Sequence, residues 1–284
     1  MKYFVPELAL GALLPPQSQF VEKFGGLPWG LPLSKWPLCA KCGNPQTHLA
    51  TFVHNAARLD LGREGRAVLI FQCNHSPNET DCAVWDAGSG ANAVVFLDTS
   101  ELGSGLTEAP APGAIKEIEM QVVWWTEQHD LVTPDLEASF MSGESYWADD
   151  EATEAVTASV ADGAKLGSVP AWIQGGAKID LAFQFAAQLG CSYHFSDPLP
   201  TADEIGVTIS VRSGAYPLVN YQVTEPTNPD PTVRGKIYVS DITLMRYGSG
   251  FDVEAAEFGD GGSGYLFVNP GPDAPQGLFM WQCG

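Results

Sequence analysis

Cys39 and Cys42, in Leu-Cys-Ala-Lys-Cys-Gly, and Cys73 and Cys82, in Phe-Gln-Cys and Thr-Asp-Cys, have the spacing of a structural metal site. A Cys-x-x-Cys turn that ends in Gly brings two thiolates onto one ion, and a second pair arriving from a distant hairpin completes the tetrahedron that zinc prefers. The expected cofactor is therefore structural Zn2+. Four sulfur ligands leave no position for water or substrate, so the motif predicts a pinned scaffold and no chemistry at the metal. Four buried free thiols are the competing reading. Cys73 and Cys82 are joined by a polar loop, and His75 within it is an alternative fourth ligand to Cys82, because imidazole nitrogen is an equally acceptable zinc ligand.

Other reactive residues carry weaker patterns. Cys191, Cys283 and His194 are too few to complete a second site. His54, His129 and His194 have acids in sequence, yet no nucleophile elbow or triad context accompanies them. Asp149, Asp150, Glu151 and Glu154 read as the charged start of a helix, where carboxylates complement the dipole. The glycine-rich run 259–264 leads into Tyr-Leu-Phe-Val, a strand pattern, whereas a phosphate loop opens a helix. It reads as a hairpin turn.

Positioning these residues falls mainly to strands. Short alternating or β-branched runs at 47–54, 67–73, 93–97, 117–126, 207–212, 236–240, 265–268 and 278–282 are punctuated by Gly, Pro and Asn. Helical periodicity is confined to the segment before Gly25, to 149–162 and to 181–189. The expected class is mostly β within α+β, built from antiparallel strands with few helices.

The chain also echoes itself. Lys-Phe-Gly-Gly-Leu-Pro-Trp at 23–29 returns as Lys-Leu-Gly-Ser-Val-Pro-Ala-Trp at 165–172, and the apolar run beginning at Leu49 returns at Leu181. Phe71-Gln72-Cys73 is matched by Trp281-Gln282-Cys283. These echoes predict two pseudo-repeated halves packed face to face, residues 1–135 with the four-cysteine site and residues 136–284 as a degenerate copy without it. Gly25, Gly26, Pro28 and Trp29, with Gly167, Pro170 and Trp172, are candidates to line a cleft between the halves, although Gly and Pro there also fit plain turns beside a core Trp.

Composition narrows the function classes. A hydrophobic content of 45% supports a large core. The net charge of −20 disfavours nucleic acid and anionic membrane and favours a protein partner, a basic one by complementarity. Pro6 and Glu7 interrupt the opening apolar run before it reaches signal-peptide length. No stretch reaches the roughly 18 residues a spanning helix needs, so the expected location is cytoplasmic, where cysteines serve as ligands and thiols.

Lys-x-Gly-Gly-x-Pro-Trp, then Trp36-Pro37-x-Cys39-x-x-Cys42-Gly43-x-Pro45, an apolar strand and Phe-x-Cys together resemble the YwqG-like family of uncharacterised bacterial proteins. The same order is similar to the eukaryotic programmed cell death protein 2 group. The likeness spans most of the chain, in both halves. One departure is His48-Leu49-Ala50-Thr51, where the pattern has Gln at the fourth place. The resemblance implies a cytosolic β-rich protein without an established reaction, acting as a dedicated chaperone for a ribosomal protein or as an immunity-type binder of a toxin. An enzyme or small-ligand binder using the cleft is the alternative from a different class.

Overall fold

The computed structural model describes residues 1–11, 14–74, 82–110, 116–143, 151–196, 209–211, 219–224, 233–239, 242–247 and 250–284. His75, Asp149 and Asp150 lie outside them, as do parts of the strands expected at 207–212 and 236–240.

The chain is mostly β. In order, β1 (Lys2–Leu10), β2 (Lys23–Phe24), β3 (Thr47–Val53), β4 (Arg66–Gln72), β5 (Asn92–Asp98) and β6 (Met120–His129) precede α1 (Pro134–Ser142) and α2 (Glu151–Ser159). Then come β7 (Lys165–Gly167), β8 (Gln184–Gly190), β9 (Ser192–Ser196), β10 (Ile209–Val211), β11 (Val219–Thr224), β12 (Val233–Val239), β13 (Ile242–Tyr247), β14 (Gly250–Glu254), β15 (Ser263–Asn269) and β16 (Gln276–Gln282). Ten strands form one antiparallel sheet in the order β16-β15-β8-β7-β1-β6-β2-β3-β4-β5. Strands β9 to β14 form a second, six-stranded sheet inserted between β8 and β15.

The large sheet curls until its edges meet, and Asn92 Nδ2 of β5 donates to Phe279 O of β16 at 3.2 Å. Val68 and Ile70 of β4, Leu266 and Val268 of β15, and Phe24 and Phe52 fill the enclosed side. The opposite faces of the same strands are apolar too. Ala67, Leu69 and Phe71 pack beneath Leu27, Leu31 and Trp36, while Tyr265 and Phe267 pack beneath Trp172. Burial on both faces is why β4 and β15 read as unbroken apolar runs instead of alternating ones.

The strand order has the same plan on either side of the central β1·β6 pair. Lys23 and Phe24 pair with Thr51 and Ala50, as Lys165 and Leu166 pair with Gln188 and Ala187. Both ladders carry a bulge at the same place: Leu49 is skipped between Ala50↔Ile70 and His48↔Phe71, and Ala186 between Ala187↔Leu266 and Phe185↔Phe267. Each two-residue turn after the lysine sits at positive φ, 61° and 64° at Gly25 and Gly26 and 82° and 58° at Gly167 and Ser168. A Cβ on Gly25 would lie 2.0 Å from Ile118 O, which explains the first glycine.

Several expectations change. The segment before Gly25 holds strands β1 and β2 and, among its described residues, no α-helix, and the 181–189 run carries β8. Alanine-rich Gln184–Gly190 has helical propensity, but burial between β7 and β15 overrides it. The partner of Leu49 is consequently Ala186 and not Leu181, and Thr51 is matched by Gln188. Phe71-Gln72-Cys73 ends β4, next to the sheet edge, whereas Trp281-Gln282-Cys283 ends the edge strand β16, so those two echoes are not on equivalent strands. The halves meet edge to edge through β1 and β7 and also share the enclosed core, where the inner faces of β4 and β15 lie in one apolar cluster.

His48 reports on this interior. Its Nδ1–H donates to the carbonyls of Gly26 and Gly25 at 3.1 and 3.2 Å, leaving Nε2 to accept from the Thr51 hydroxyl at 2.7 Å. Complete burial, with Lys23 nearby, pushes its pKa down from 6.5 to about 3. The unfolded chain binds a proton there that the folded chain refuses, so stability falls as pH drops from 6.5 towards 3. The full effect is roughly 5 kcal/mol. His48→Phe, which copies Phe185, should cost about 1–2 kcal/mol at pH 7 by stranding those carbonyls, yet be the more stable chain at pH 4. Urea midpoints across that range test the crossover.

Candidate metal centre

The Cys39–Cys42 turn is built by the backbone. Cys39 N donates to Asn44 O and Gly43 N to Cys39 O, both at 2.8 Å, and Gly43 sits at φ 74°. Leu38 bridges to Pro45, closing the base of the turn. A left-handed residue is needed there to bring the chain back, and Gly supplies it without a Cβ penalty. Trp36 anchors the approach, its indole donating to Gln46 O at 3.0 Å while its ring meets Phe71 edge-on.

Cys73 leaves the end of β4 and its N–H donates to Ala91 O at 2.8 Å. Cys82 follows from the connection to β5 and is buried beside Val84 and Ala91. Ala40 N donates to Gly90 O at 3.0 Å and Gln46 Nε2 to the same oxygen at 3.2 Å, so the turn is laced to the start of β5.

These elements bring all four Sγ atoms within 4.8 Å of one another, a set able to hold a metal ion. Cys42 lies 3.5 Å from Cys73, and Cys73 lies 3.8 Å from Cys82. Metal–sulfur bonds of about 2.3 Å at tetrahedral angles place sulfurs about 3.8 Å apart. A disulfide needs about 2 Å, and all four cysteines are free thiols. Burial pushes the Cys82 thiol up to about 11. At Cys42 burial acts in the same direction, but the Asn44 backbone and the neighbouring thiols outweigh it and bring that thiol below its ordinary value. Four thiolates together need a cation's charge, which a bound divalent ion supplies.

The cleft candidates do not come together. Trp29 lines a cavity of about 350 Å³ with Leu14, Pro15, Pro16 and Glu119. Trp172 and Pro170 line a separate one of about 380 Å³ beside Phe140 and α2. Gly25, Gly26, Gly167 and Pro28 are turn residues, and Pro28 O accepts from Thr107 N at 2.9 Å. Among the described residues Cys191 and Cys283 join no metal-binding group.

The second half pins its covering segment by amide and indole hydrogen bonds. Gln282 Oε1 accepts from Ile173 N and Gln174 N at 3.1 and 3.0 Å, and its Nε2 donates to Gly175 O at 2.8 Å. Trp172 Nε1 adds a bond to Phe140 O at 2.7 Å. The sequence signal for this role was Gln282 within Trp-Gln-Cys, which the cysteine beside it obscured.

Among the described residues no helix is long and apolar enough to cross a membrane. No protein-family model matches this chain, and no curated protein matches it.

Proposed function

We propose that this is a zinc-pinned, non-catalytic binding protein of the cytoplasm that holds a basic protein client, as its resemblance to the YwqG-like family and the programmed cell death protein 2 group implies. The observation that carries the reading is the closed sulfur quartet of Cys39, Cys42, Cys73 and Cys82. An all-thiolate set suits zinc, and four sulfurs complete its tetrahedron, so the ion stabilises shape instead of activating water. The charge of −20 supports a basic client, whose approach opposite charge would speed and select.

Purified protein should contain one zinc per chain, and immobilised protein should retain a stoichiometric basic partner from native lysate at low salt and release it at high salt. Absence of zinc, absence of such a partner, or a partner indifferent to salt would each overturn the reading.

A further inference from the structure

The large sheet has an open ladder in its middle. β6 runs from Met120 to His129, but β2 pairs only with Met120 and Gln121, and one more bond joins Val122 N to Glu22 O at 2.9 Å. Past that point, among the described residues, no backbone bond covers the edge of β6 that faces away from β1. β1 has the matching gap beyond Phe4, since β7 pairs only with Tyr3 and Phe4.

The two gaps are treated differently. β1 carries Pro6 in its open stretch, which removes a donor and blunts the edge against another strand. The open stretch of β6 contains no proline, only Trp124-Trp125-Thr126-Glu127-Gln128, with β-favouring residues at its start. A bulge sharpens the contrast. Leu8 pairs with Val122 and Glu7 with Trp124, so Val123 is the extra residue and the usual in-out alternation is lost. Val123 and Trp124 consequently both turn outward, 65% and 67% exposed. An open ladder beside exposed apolar side chains is a feature folded proteins ordinarily suppress unless it serves binding.

We propose that the outer edge of β6, over residues 124–128, seats the client, which adds there as an extended, basic strand; this rests on the binding-protein reading above. Ladder bonds would supply affinity, and alternate side chains would supply selection. Charge chooses the occupant. Glu7 stands opposite Trp124 on the same face and is exposed, whereas Glu127 lies on the other face with Lys2 Nζ 3.6 Å away. A lysine or arginine on the outer face of the incoming strand meets Glu7 and the Trp124 ring, which attracts cations. A second copy of this chain fits poorly, because each carries −20.

The test uses the full-length, metal-containing protein and a labelled synthetic octapeptide of alternating lysine and valine, read by fluorescence anisotropy. It should bind at least tenfold more tightly than the glutamate–valine counterpart, and tenfold more tightly than the same peptide N-methylated at alternate residues. Trp124→Ala, at an exposed position, should keep the wild-type melting temperature within a few degrees and bind the lysine peptide tenfold less well. Equal binding of the N-methylated peptide would exclude strand addition. Equal binding of the acidic peptide would exclude charge selection, and an unaffected Trp124→Ala would exclude this edge. Wild type and Trp124→Ala retaining the same salt-released partner equally would overturn the edge and leave the binding reading standing, whereas no partner for either would overturn that reading itself.

Discussion

Cys73→Ser is expected to yield a chain without zinc whose N-terminal half no longer holds its native packing. Cys73 is buried at the end of β4 and lies 3.5 Å from Cys42 and 3.8 Å from Cys82, so its loss opens the quartet. Structural zinc contributes about 10–16 kcal/mol in small metal-dependent folds. Whole domains are stable by only about 5–15 kcal/mol. What a bound ion would hold is specific: the segment carrying Leu27, Leu31 and Trp36 lies over the outer face of β4, and the Cys39–Cys42 turn fastens its far end. Released, that segment would uncover Leu69 and Phe71. A chelator should reproduce the effect on wild type. Cys283→Ser, outside the quartet, should keep the metal and melt within a few degrees of wild type. Metal analysis and thermal melts decide it: a Cys73→Ser chain with full zinc and an unchanged transition would end the architectural argument.

The quartet was legible in the sequence because thiol chemistry and chain order suffice to name it. Its second-half counterpart was not, since an amide such as Gln282 can pin a loop only through backbone groups that the fold delivers. The likeness in strand plan between the two sides of β1·β6 was legible at Lys-x-Gly, where positive φ restricts residue choice, and the sequence match was misaligned at Leu49, where a bulge shifts the ladder. Helix α1 could have been found. Thr133 before Pro134, acids at Asp135 and Glu137, and left-handed Gly143 at the end are its start and stop signals. The open edge of β6 had no signal, because nothing in Lys23-Phe24 declares that β2 stops after two residues.

Lys23 and Lys165 occupy matching places in the two halves, yet their removal should have opposite consequences. Lys23 Nζ donates to Glu119 at 2.8 Å and Gln17 at 2.7 Å, so its burial is compensated by a carboxylate that is itself nearly enclosed. Lys23→Met would strand Glu119 and should cost about 3–5 kcal/mol. Among the described residues Lys165 Nζ has no hydrogen-bond partner, and it sits between the Tyr3 and Phe185 rings, 5.8 and 5.9 Å from their centres. Burial lowers its pKa from 10.5 to about 7, with Asp130 and Asp162 opposing the shift. Between those two values the unfolded chain holds a proton that the folded chain has released, so wild-type stability rises with pH across that window and is lowest below it. The penalty at pH 6 is roughly 5 kcal/mol. Lys165→Met removes it, because an apolar chain of similar length needs no proton and fills the same space. The variant should therefore exceed wild type by several kcal/mol at pH 6, with the gap closing towards pH 10. Urea titrations at pH 6, 8 and 10 read this directly. A Lys165→Met chain no more stable than wild type at pH 6, or one with an unchanged pH slope, would mean that the amine has a partner in solution and that the two halves counter their lysines alike.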